Sequence, residues 1–173
     1  TKKSGEKSHF FSKFTKNFID RNNYTNSLEI NLQEVSNDKY LKLYKIESNL
    51  TDYNLENLEN SLNYIQEREN LFLNVKASMY ESLKDDYEDK YEFIFPEITL
   101  NKNLFFNEKG NLDLQTNYKV HNYDTNKLTN FLVNDFDWQS NQINFDNGIN
   151  SLFLANLKNI NFESKNVQEY KED

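Results

Sequence analysis

The stretch NLDLQTNYKVH at residues 111–121 alternates between apolar and polar side chains almost without error. One parity carries Leu112, Leu114, Thr116, Tyr118 and Val120. The other carries Asn111, Asp113, Gln115, Asn117, Lys119 and His121. Because a β-strand points successive side chains to opposite faces, this pattern predicts a strand with one apolar and one hydrophilic face. The hydrophilic face could meet bulk water or line a water-filled interior.

The composition favours a folded chain over a disordered one. Of 173 residues only 36% are hydrophobic, and the mean hydropathy is -0.93. Yet the chain holds 14 Phe and 11 Tyr, whereas disordered segments are poor in aromatic residues. The net charge of -8 argues against nucleic acid as a partner, since phosphate neutralisation needs basic residues.

Two further features of the sequence bear on function. Cysteine is absent, which excludes disulfides, thiolate zinc sites and cysteine nucleophiles. No apolar run approaches the 18 or so residues of a transmembrane helix. The chain lacks an initiator methionine and opens directly into a strand-like segment, so we expect it to be a piece of a longer protein.

Other segments repeat the alternation of the first one. They are SLEINLQ at 27–33, LFLNVKASMY at 71–80 and KYEFIFPEITL at 90–100. Turn-forming residues separate such segments at 20–23, 108–110 and 146–148. The last turn contains Asn147-Gly148, a strong signal for a β-hairpin with strands on both sides.

One region resists interpretation as strand. Leu55, Leu58 and Leu62 recur at helical spacing, and 38–48 has no clear period. We therefore expect part of 38–60 to be a loop or a short helix.

Strands of about ten residues match the 9–11 that a tilted strand needs to cross a bilayer, and they exceed the usual five or six of a soluble sheet. Alternation in such units, with aromatic residues near strand ends, is the weak signature of an outer-membrane barrel. A soluble β-sandwich, such as a binding or adhesin module, gives the same alternation. Periodicity by itself favours that soluble alternative.

The order of several motifs resembles one known family. VSNDKYL lies at 35–41, YEFIFPEI at 91–98 and YDTNKLTNFLVNDFDWQS at 123–140. This series is similar to the C-terminal barrel region of the LPS-assembly protein family LptD, also called organic solvent tolerance protein, in its α-proteobacterial form. The similarity covers nearly the whole chain. The family's cysteines have no counterpart here.

The resemblance implies an all-β fold: an antiparallel up-and-down meander in which residues 1–173 form middle strands of a large transmembrane β-barrel. Such a barrel lies in the outer membrane and delivers lipopolysaccharide to its outer leaflet. The implied partners are lipopolysaccharide, outer-membrane lipids, the plug lipoprotein LptE, and an LptA-type bridge that binds a separate N-terminal domain. No enzymatic activity and no cofactor are implied.

This architecture assigns a role to each face of 111–121. The residues expected to face lipid are Leu112, Leu114, Tyr118 and Val120. Those expected to line the lumen and contact glycan or LptE are Asp113, Gln115, Asn117, Lys119 and His121. Trp138 is expected in an interfacial aromatic belt, although an ordinary core position fits its sequence equally well.

The sequence gives little support for a metal site, a catalytic acid pair or a calcium loop. His9 and His121 lie in different predicted strands, so a shared metal ion is not expected. Asp135 and Asp137 share a parity, but two such acids usually form a polar strand face and not a catalytic pair. The segment 135–146 resembles a calcium loop only superficially, because Ser140 replaces the required glycine. We predict no catalytic residue and no metal site.

Overall fold

The computed structural model describes residues 7–84, 90–124 and 126–167. The chain forms ten strands and one short helix in these ranges. In chain order they are β1 (His9–Ile19), β2 (Thr25–Val35), α1 (Tyr40–Tyr44), β3 (Asn57–Arg68), β4 (Leu71–Ser82), β5 (Tyr91–Asn107), β6 (Gly110–Tyr123), β7 (Lys127–Gln139), β8 (Ile143–Asn144), β9 (Asn150–Ser151) and β10 (Leu154–Lys165). The expected single domain of 1–173 also includes 1–6, 85–89, 125 and 168–173, which lie outside the described residues.

Eight strands form one antiparallel sheet in the order β1-β2-β3-β4-β5-β6-β7-β10. Apart from the two-residue strands β8 and β9, each strand pairs with the strands before and after it in the chain, so the sheet is an up-and-down meander. The prediction of an all-β antiparallel meander is confirmed. The sheet does not close into a barrel, and β1 and β10 are its two edges. β8 and β9 form a separate hairpin within the connection from β7 to β10.

Strand register separates apolar from polar side chains across the sheet. Directly paired residues of antiparallel strands project from the same face. One row of paired residues contains Leu28, Tyr64, Val75, Ile98, Tyr118 and Leu132. The next row, on the opposite face, contains Glu29, Asn63, Lys76, Glu97 and Lys119. We call the first side the apolar face and the second the polar face.

No second layer covers the apolar face within the described residues. Their buried hydrophobic side chains are Leu41, Leu58, Leu83 and Ile94. Many large apolar side chains of the sheet remain exposed, among them Phe14, Leu62 and Phe93. The alternation therefore builds a two-faced sheet whose apolar side, except at the end where Leu58 is buried, packs on nothing else in this part of the chain.

The small core lies at one end of the sheet, which we call the sealed end. Here α1 and the loop after it fill the space between β2 and β3. Leu41, Leu58 and Leu83 are buried together. Their partly buried neighbours are Phe11, Val35, Tyr40, Ile46 and Leu55.

Region 38–60 contains the expected loop and short helix, but the helix is α1 at Tyr40–Tyr44. Leu58 and Leu62 belong to β3, whereas Leu55 lies in the preceding loop. The helical spacing of these leucines therefore does not mark a helix. Within β3, Leu58 is buried against α1, whereas Leu62 lies on the open apolar face.

Amide side chains join β2 to β3 where backbone pairing between them stops. The ladder ends at the pair Asn31–Ser61. Beyond it, the Gln33 N–H donates to Asn60 Oδ1 at 2.9 Å, and Asn60 Nδ2 donates to the Gln33 carbonyl at 3.0 Å. The Glu59 N–H donates to Gln33 Oε1 at 2.8 Å. Side chains thus satisfy backbone groups that the ladder leaves unpaired.

The opposite end, the turn end, has short connections at 20–24, 69–70 and 108–109. Gly110, with φ of 111°, follows the last of these, as the predicted turn at 108–110 requires. The turn predicted at 20–23 is also present, and Asp20 Oδ1 accepts the N–H of Asn22 at 2.9 Å. The hairpin predicted around Asn147-Gly148 is present too, but its strands β8 and β9 have only two residues each.

Candidate functional site

The five residues expected to line a lumen follow one another along the polar face of β6, which lies between β5 and β7. Their partners on β5 and β7 change along the strand. Asp113 lies opposite Asn103 and Asp137, and Lys119 lies opposite Glu97 and Phe131. The polar face therefore has an acidic part near the turn end and a part of mixed charge near the sealed end.

The acidic part is held together by amide donors. Asn103 Nδ2 donates to Asp113 Oδ1 at 2.8 Å, and Asn111 Nδ2 donates to the second carboxylate oxygen. Asp137 lies directly across from Asp113 and accepts a hydrogen bond from Asn156 Nδ2 at 2.6 Å. Two like charges in direct opposition would destabilise the pairing, so the amide donors offset that repulsion.

Beside this pair, a third acid is partly neutralised. Asp135 lies opposite Gln115, and its Oδ1 is 3.3 Å from Lys158 Nζ on β10. A cavity of about 540 Å³ opens at the turn end of the same face. Its lining is dominated by amides and carboxylates: Glu69, Asn70, Asn103, Phe106, Asn111, Asp113, Gln139, Ser140 and Asn141. Such a surface offers many hydrogen-bond donors and acceptors to a hydroxyl-rich ligand.

The other end of the polar face combines aromatic rings with charges. The His121 imidazole contacts the Glu92 carboxylate and stacks on Tyr123 with ring centroids 4.6 Å apart. A cavity of about 220 Å³ lies next to this group. Tyr80 and Tyr91 are among the residues that line it.

Lys90, just before β5, forms ion pairs with the loop before α1 and with the end of β4. Its Nζ lies 2.8 Å from Asp38 Oδ1 and 2.8 Å from Glu81 Oε1. Partial burial disfavours the charged ammonium, but hydrogen bonds to the two carboxylates outweigh it and raise the pKa of Lys90. The ammonium is therefore a fixed positive charge at this end of the sheet.

A cluster that sequence reasoning missed interrupts the polar face. Register places Phe131 and Val133 of β7 on that face, next to Phe162 and Ile160 of β10. The rings of Phe131 and Phe162 meet edge to face, with centroids 6.0 Å apart. Both parities of 131–136 carry apolar residues, so alternation gives no facing. Strand pairing assigns their face, because Phe131 lies opposite Lys119 and Val133 opposite Asn117 of β6, and the β7–β10 pairing adds Phe162 and Ile160 beside them.

The four residues expected to face lipid lie on the apolar face of β6. Leu112 lies opposite Trp138, Leu114 opposite Phe136, and Tyr118 opposite Leu132. Val120, the fourth, lies opposite the polar Asn130.

The apolar face has one polar pair near its middle, and the two side chains form a hydrogen bond with each other. Thr116 Oγ1 donates to Asn134 Oδ1 at 2.8 Å. Trp138 lies near the turn end, half-buried, where its Nε1 donates to the Lys109 carbonyl at 3.2 Å. It packs against the end of the β5–β6 hairpin and not inside a core. Whether that level is a membrane interface stays a prediction.

The remaining chemical candidates are not assembled into a reactive site. His9 lies on β1 and His121 on β6, five strand steps or roughly 24 Å apart at ordinary strand spacing. Residues 135–139 continue β7, so the segment 135–146 does not wrap around one point as a calcium loop must. Within 7–84, 90–124 and 126–167, no group of three or more His, Asp or Glu is placed to hold a metal ion.

Comparisons with known proteins give no relative. No protein-family model matches the chain, and neither the curated proteins nor the solved structures contain a significant match. The helix in the described ranges is too short to span a membrane.

Proposed function

We propose that this chain is part of the wall of an outer-membrane β-barrel that moves lipopolysaccharide to the outer leaflet, as its resemblance to the LptD family implies. The observation that carries the proposal is the two-faced sheet. One apolar face runs across neighbouring strands with no covering layer in the described residues, and the opposite face is polar. A barrel wall between lipid and a wet lumen needs this arrangement.

The height of the apolar band is compatible with a membrane. From Leu112 to Val120 is eight residue steps, or roughly 27 Å along the strand. With a tilt of about 40°, this corresponds to roughly 20 Å along the membrane normal, close to the apolar band of about 25 Å in known barrels. Trp138 pairs with Leu112 on the apolar face and lies near the turn end, where an aromatic residue of an interfacial belt would be expected.

The two sheet edges define what the proposal requires of the parent protein. In hydrocarbon, unpaired N–H and C=O groups on β1 and β10 would each cost several kcal/mol. Closure therefore requires that further strands of the same protein pair with both edges. In water, the same edges and the exposed apolar face would favour aggregation.

The polar face suits the glycan part of lipopolysaccharide. Amides and carboxylates around Asp113, Gln115 and Asn117 can exchange hydrogen bonds with sugar hydroxyls. In this proposal they share the lumen with the LptE plug, and the lipid portion stays on the membrane side. The LptA-type bridge contacts the separate N-terminal domain of the family.

A cysteine scan within these 173 residues tests the membrane wall directly, because this chain has no cysteine of its own and each variant can be compared with the unmodified parent protein. In the parent protein in native membranes, Leu114→Cys should react with a lipid-soluble maleimide and resist a charged, water-soluble one. Gln115→Cys, its neighbour on the opposite face, should show the reverse. Equal water-phase labelling of both, with recovery in the soluble fraction, would favour a soluble β-module instead.

Lipopolysaccharide as the cargo needs its own experiment. A photoreactive amino acid at Asn117 should form a lipopolysaccharide adduct in living cells, and depletion of the protein should reduce lipopolysaccharide at the cell surface. The matched control is the same amino acid at Thr116, on the apolar face of the same strand. Normal surface lipopolysaccharide after depletion would contradict the cargo while leaving the barrel wall open to other roles.

A further inference from the structure

Two cations lie on the apolar face at the turn end, on either side of one leucine. Leu71 of β4 pairs with Arg68 of β3 and with Lys102 of β5, so the three side chains project from the same face. The Cα atoms of Arg68 and Lys102 are two strand spacings apart, roughly 10 Å. Both side chains are exposed, and their length lets both charged groups reach one ligand above Leu71.

No ion pair occupies these two charges. Among the described residues, no carboxylate oxygen lies within 4.0 Å of the charged nitrogens of Arg68 or Lys102. The Arg68 guanidinium lies instead over the Tyr24 ring, 5.2 Å from its centroid. An anionic group above Leu71 can therefore bind two cations without displacing a carboxylate.

The apolar face of β4 shows where a membrane interface would cross the sheet. Its uncharged residues are Leu71, Leu73, Val75, Ala77 and Met79. The next residue on this face is Glu81. From Leu71 to Glu81 is ten residue steps, roughly 34 Å along the strand, or roughly 26 Å along the membrane normal with a tilt of about 40°. Because the apolar band of known barrels is about 25 Å tall, Arg68 and Lys102 lie at one boundary of the band, at the level of lipid phosphates.

An uncharged path leads from the two cations into a groove. From Leu71 to Ala77 is six residue steps, or roughly 20 Å, a length that an extended acyl chain can span. At Ala77 a groove of about 540 Å³ opens on the apolar face. Its lining includes Ile30, Leu62, Ala77, Met79 and Phe93. The path therefore offers contacts for a chain whose charged end lies between Arg68 and Lys102.

Connection lengths indicate which leaflet meets the turn end. In known outer-membrane barrels, short turns face the periplasm and longer loops face the outside. The connections 20–24, 69–70 and 108–109 at the turn end are short, whereas 36–56 at the sealed end is long. The exception at the turn end is 140–153, which folds into the β8–β9 hairpin. The two cations therefore meet the inner leaflet, whose lipids are phospholipids.

We propose that Arg68 and Lys102 bind the phosphate of an anionic phospholipid in the inner leaflet, and that its acyl chain follows β4 into the groove at Ala77. Two positive charges favour a headgroup with net negative charge, since a zwitterionic headgroup brings its own cation. This inference rests on the proposed function, which places the apolar face against lipid.

The experiment measures lipid binding by the parent protein purified in a mild non-ionic detergent. The probes are phosphatidylglycerol and phosphatidylcholine with identical acyl chains, and glycerophosphoglycerol, the headgroup without chains. The natural protein should bind phosphatidylglycerol at least about 5-fold more tightly than phosphatidylcholine, and glycerophosphoglycerol far more weakly than either. Arg68→Gln and Lys102→Gln should each weaken phosphatidylglycerol by roughly 3- to 10-fold and phosphatidylcholine by less than about 2-fold.

Matched variants separate the phosphate contact from other effects. Lys13→Gln removes an exposed lysine of the polar face, opposite Asn31, and should leave the affinity for both lipids unchanged. Ala77→Phe fills part of the groove and should weaken both lipids alike, by roughly 3- to 10-fold. Heat-modifiable migration reports whether each variant is folded. If a glutamine variant does not fold, Arg68→Met and Lys102→Met, which keep an apolar stem, supply the test.

Three outcomes overturn the inference. If the natural protein binds both lipids equally, or if the two glutamine variants keep its affinity for phosphatidylglycerol, the phosphate site is wrong. If glycerophosphoglycerol binds as tightly as the intact lipid, or if Ala77→Phe changes neither affinity, the acyl path is wrong. In intact cells, Asn22→Cys in the β1–β2 turn should resist a polyethylene glycol maleimide too large to cross the outer membrane. Labelling there would place the turn end outside the cell and exclude the inner-leaflet lipid.

Failure of this inference is distinguishable from failure of the proposed function. If Leu114→Cys labels from the lipid phase but phosphatidylglycerol is not preferred, the lipid site is wrong and the barrel wall stands. If both glutamine variants lose phosphatidylglycerol as expected but depletion leaves surface lipopolysaccharide normal, the cargo is wrong and the lipid site stands.

Discussion

The sealed end and the turn end of the sheet are stabilised in different ways. At the sealed end, leucines from α1, β3 and the segment after β4 bury one another. At the turn end, order comes from backbone geometry, with Gly110 at φ of 111° and Asp20 accepting turn N–H groups. Between them, the sheet depends on strand pairing and leaves its apolar face open.

Two leucines of β3 show the contrast between the packed sealed end and the open middle of the sheet within one strand. Leu58 is 0% exposed and Leu62 is 49% exposed, although they lie four residues apart and share a parity. The same residue type on the same strand is thus core at the sealed end and open surface at the middle. Sequence pattern does not distinguish these environments, because only the packing of α1 creates the first.

The largest expected effect is at the turn end. In Gly110→Ala, the added Cβ would lie 2.1 Å from the Gln139 carbonyl oxygen, and φ of 111° is unfavourable for any L-residue with a side chain. We expect a loss of at least about 3 kcal/mol in unfolding free energy, because backbone must move. Urea unfolding followed by the fluorescence of Trp138, which contacts this hairpin, measures it.

Gly148→Ala is the matched control for that turn. Gly148 also has positive φ, 82°, but nothing lies within 4 Å of the added Cβ. The expected loss is about 1 kcal/mol, from backbone strain alone. Equal losses for the two glycines would show that the approach of β7 to Gly110 is not what restricts this position.

The second prediction concerns the core at the sealed end. Leu58→Ala should cost about 2–5 kcal/mol, since a fully buried leucine leaves a cavity beside Leu41 and Leu83. Leu62→Ala should cost less than about 1 kcal/mol, because half of its side chain is already exposed. The urea midpoints of unfolding, measured for both variants in one detergent, compare the two losses. A large loss at Leu62 would mean that a partner absent from this chain packs tightly on the apolar face.

The third prediction tests the amide bridge between β2 and β3. Asn60→Ala removes the acceptor for the Gln33 N–H and the donor to its carbonyl, so we expect a loss of about 1–3 kcal/mol. Asn101→Ala is the control, because Asn101 is an exposed asparagine of β5. Hydrogen exchange should also quicken at Gln33 and not in β5. Unchanged exchange at Gln33 would contradict the bridge.

The sequence predicts local structure well where one parity is clean. In 111–121 the strand, its two faces and the turn before it follow from alternation and Gly110. The order of the sheet also follows, since neighbouring antiparallel strands need only short connections. These features depend on residues close in sequence, which is why pattern alone finds them.

The features that the sequence did not predict all depend on which residues lie opposite each other on paired strands. Phe131 and Val133 face the polar side only because of their register with β6 and β10. Likewise, the amide bridge needs Gln33 and Asn60 to meet where the ladder ends. Alternation cannot provide either relation, and it also cannot say what covers an apolar face. The barrel, the cargo and the lumen contacts therefore stay proposals.

The smallest expected effect is electrostatic and returns to the sealed end. Lys90→Met removes the cation between Asp38 and Glu81, and we expect a loss of about 1 kcal/mol, since the group is partly exposed. The pKa of Lys90 is raised in the folded state above its ordinary value of 10.5. Its contribution to stability is therefore fully present below pH 10.5 and decreases as the pH rises above that value, because the unfolded state then loses its proton first.

The measurement compares the natural protein with Lys90→Met between pH 7 and pH 11.5. Their difference in unfolding free energy should be constant to about pH 10 and then shrink. Lys119→Met is the control, since this lysine has no carboxylate partner in the described part of the chain. It should cost almost nothing at any of these pH values. A difference for Lys90→Met that grows with pH would reverse the sign and exclude Lys90 as the charge that joins β4 to the loop before α1.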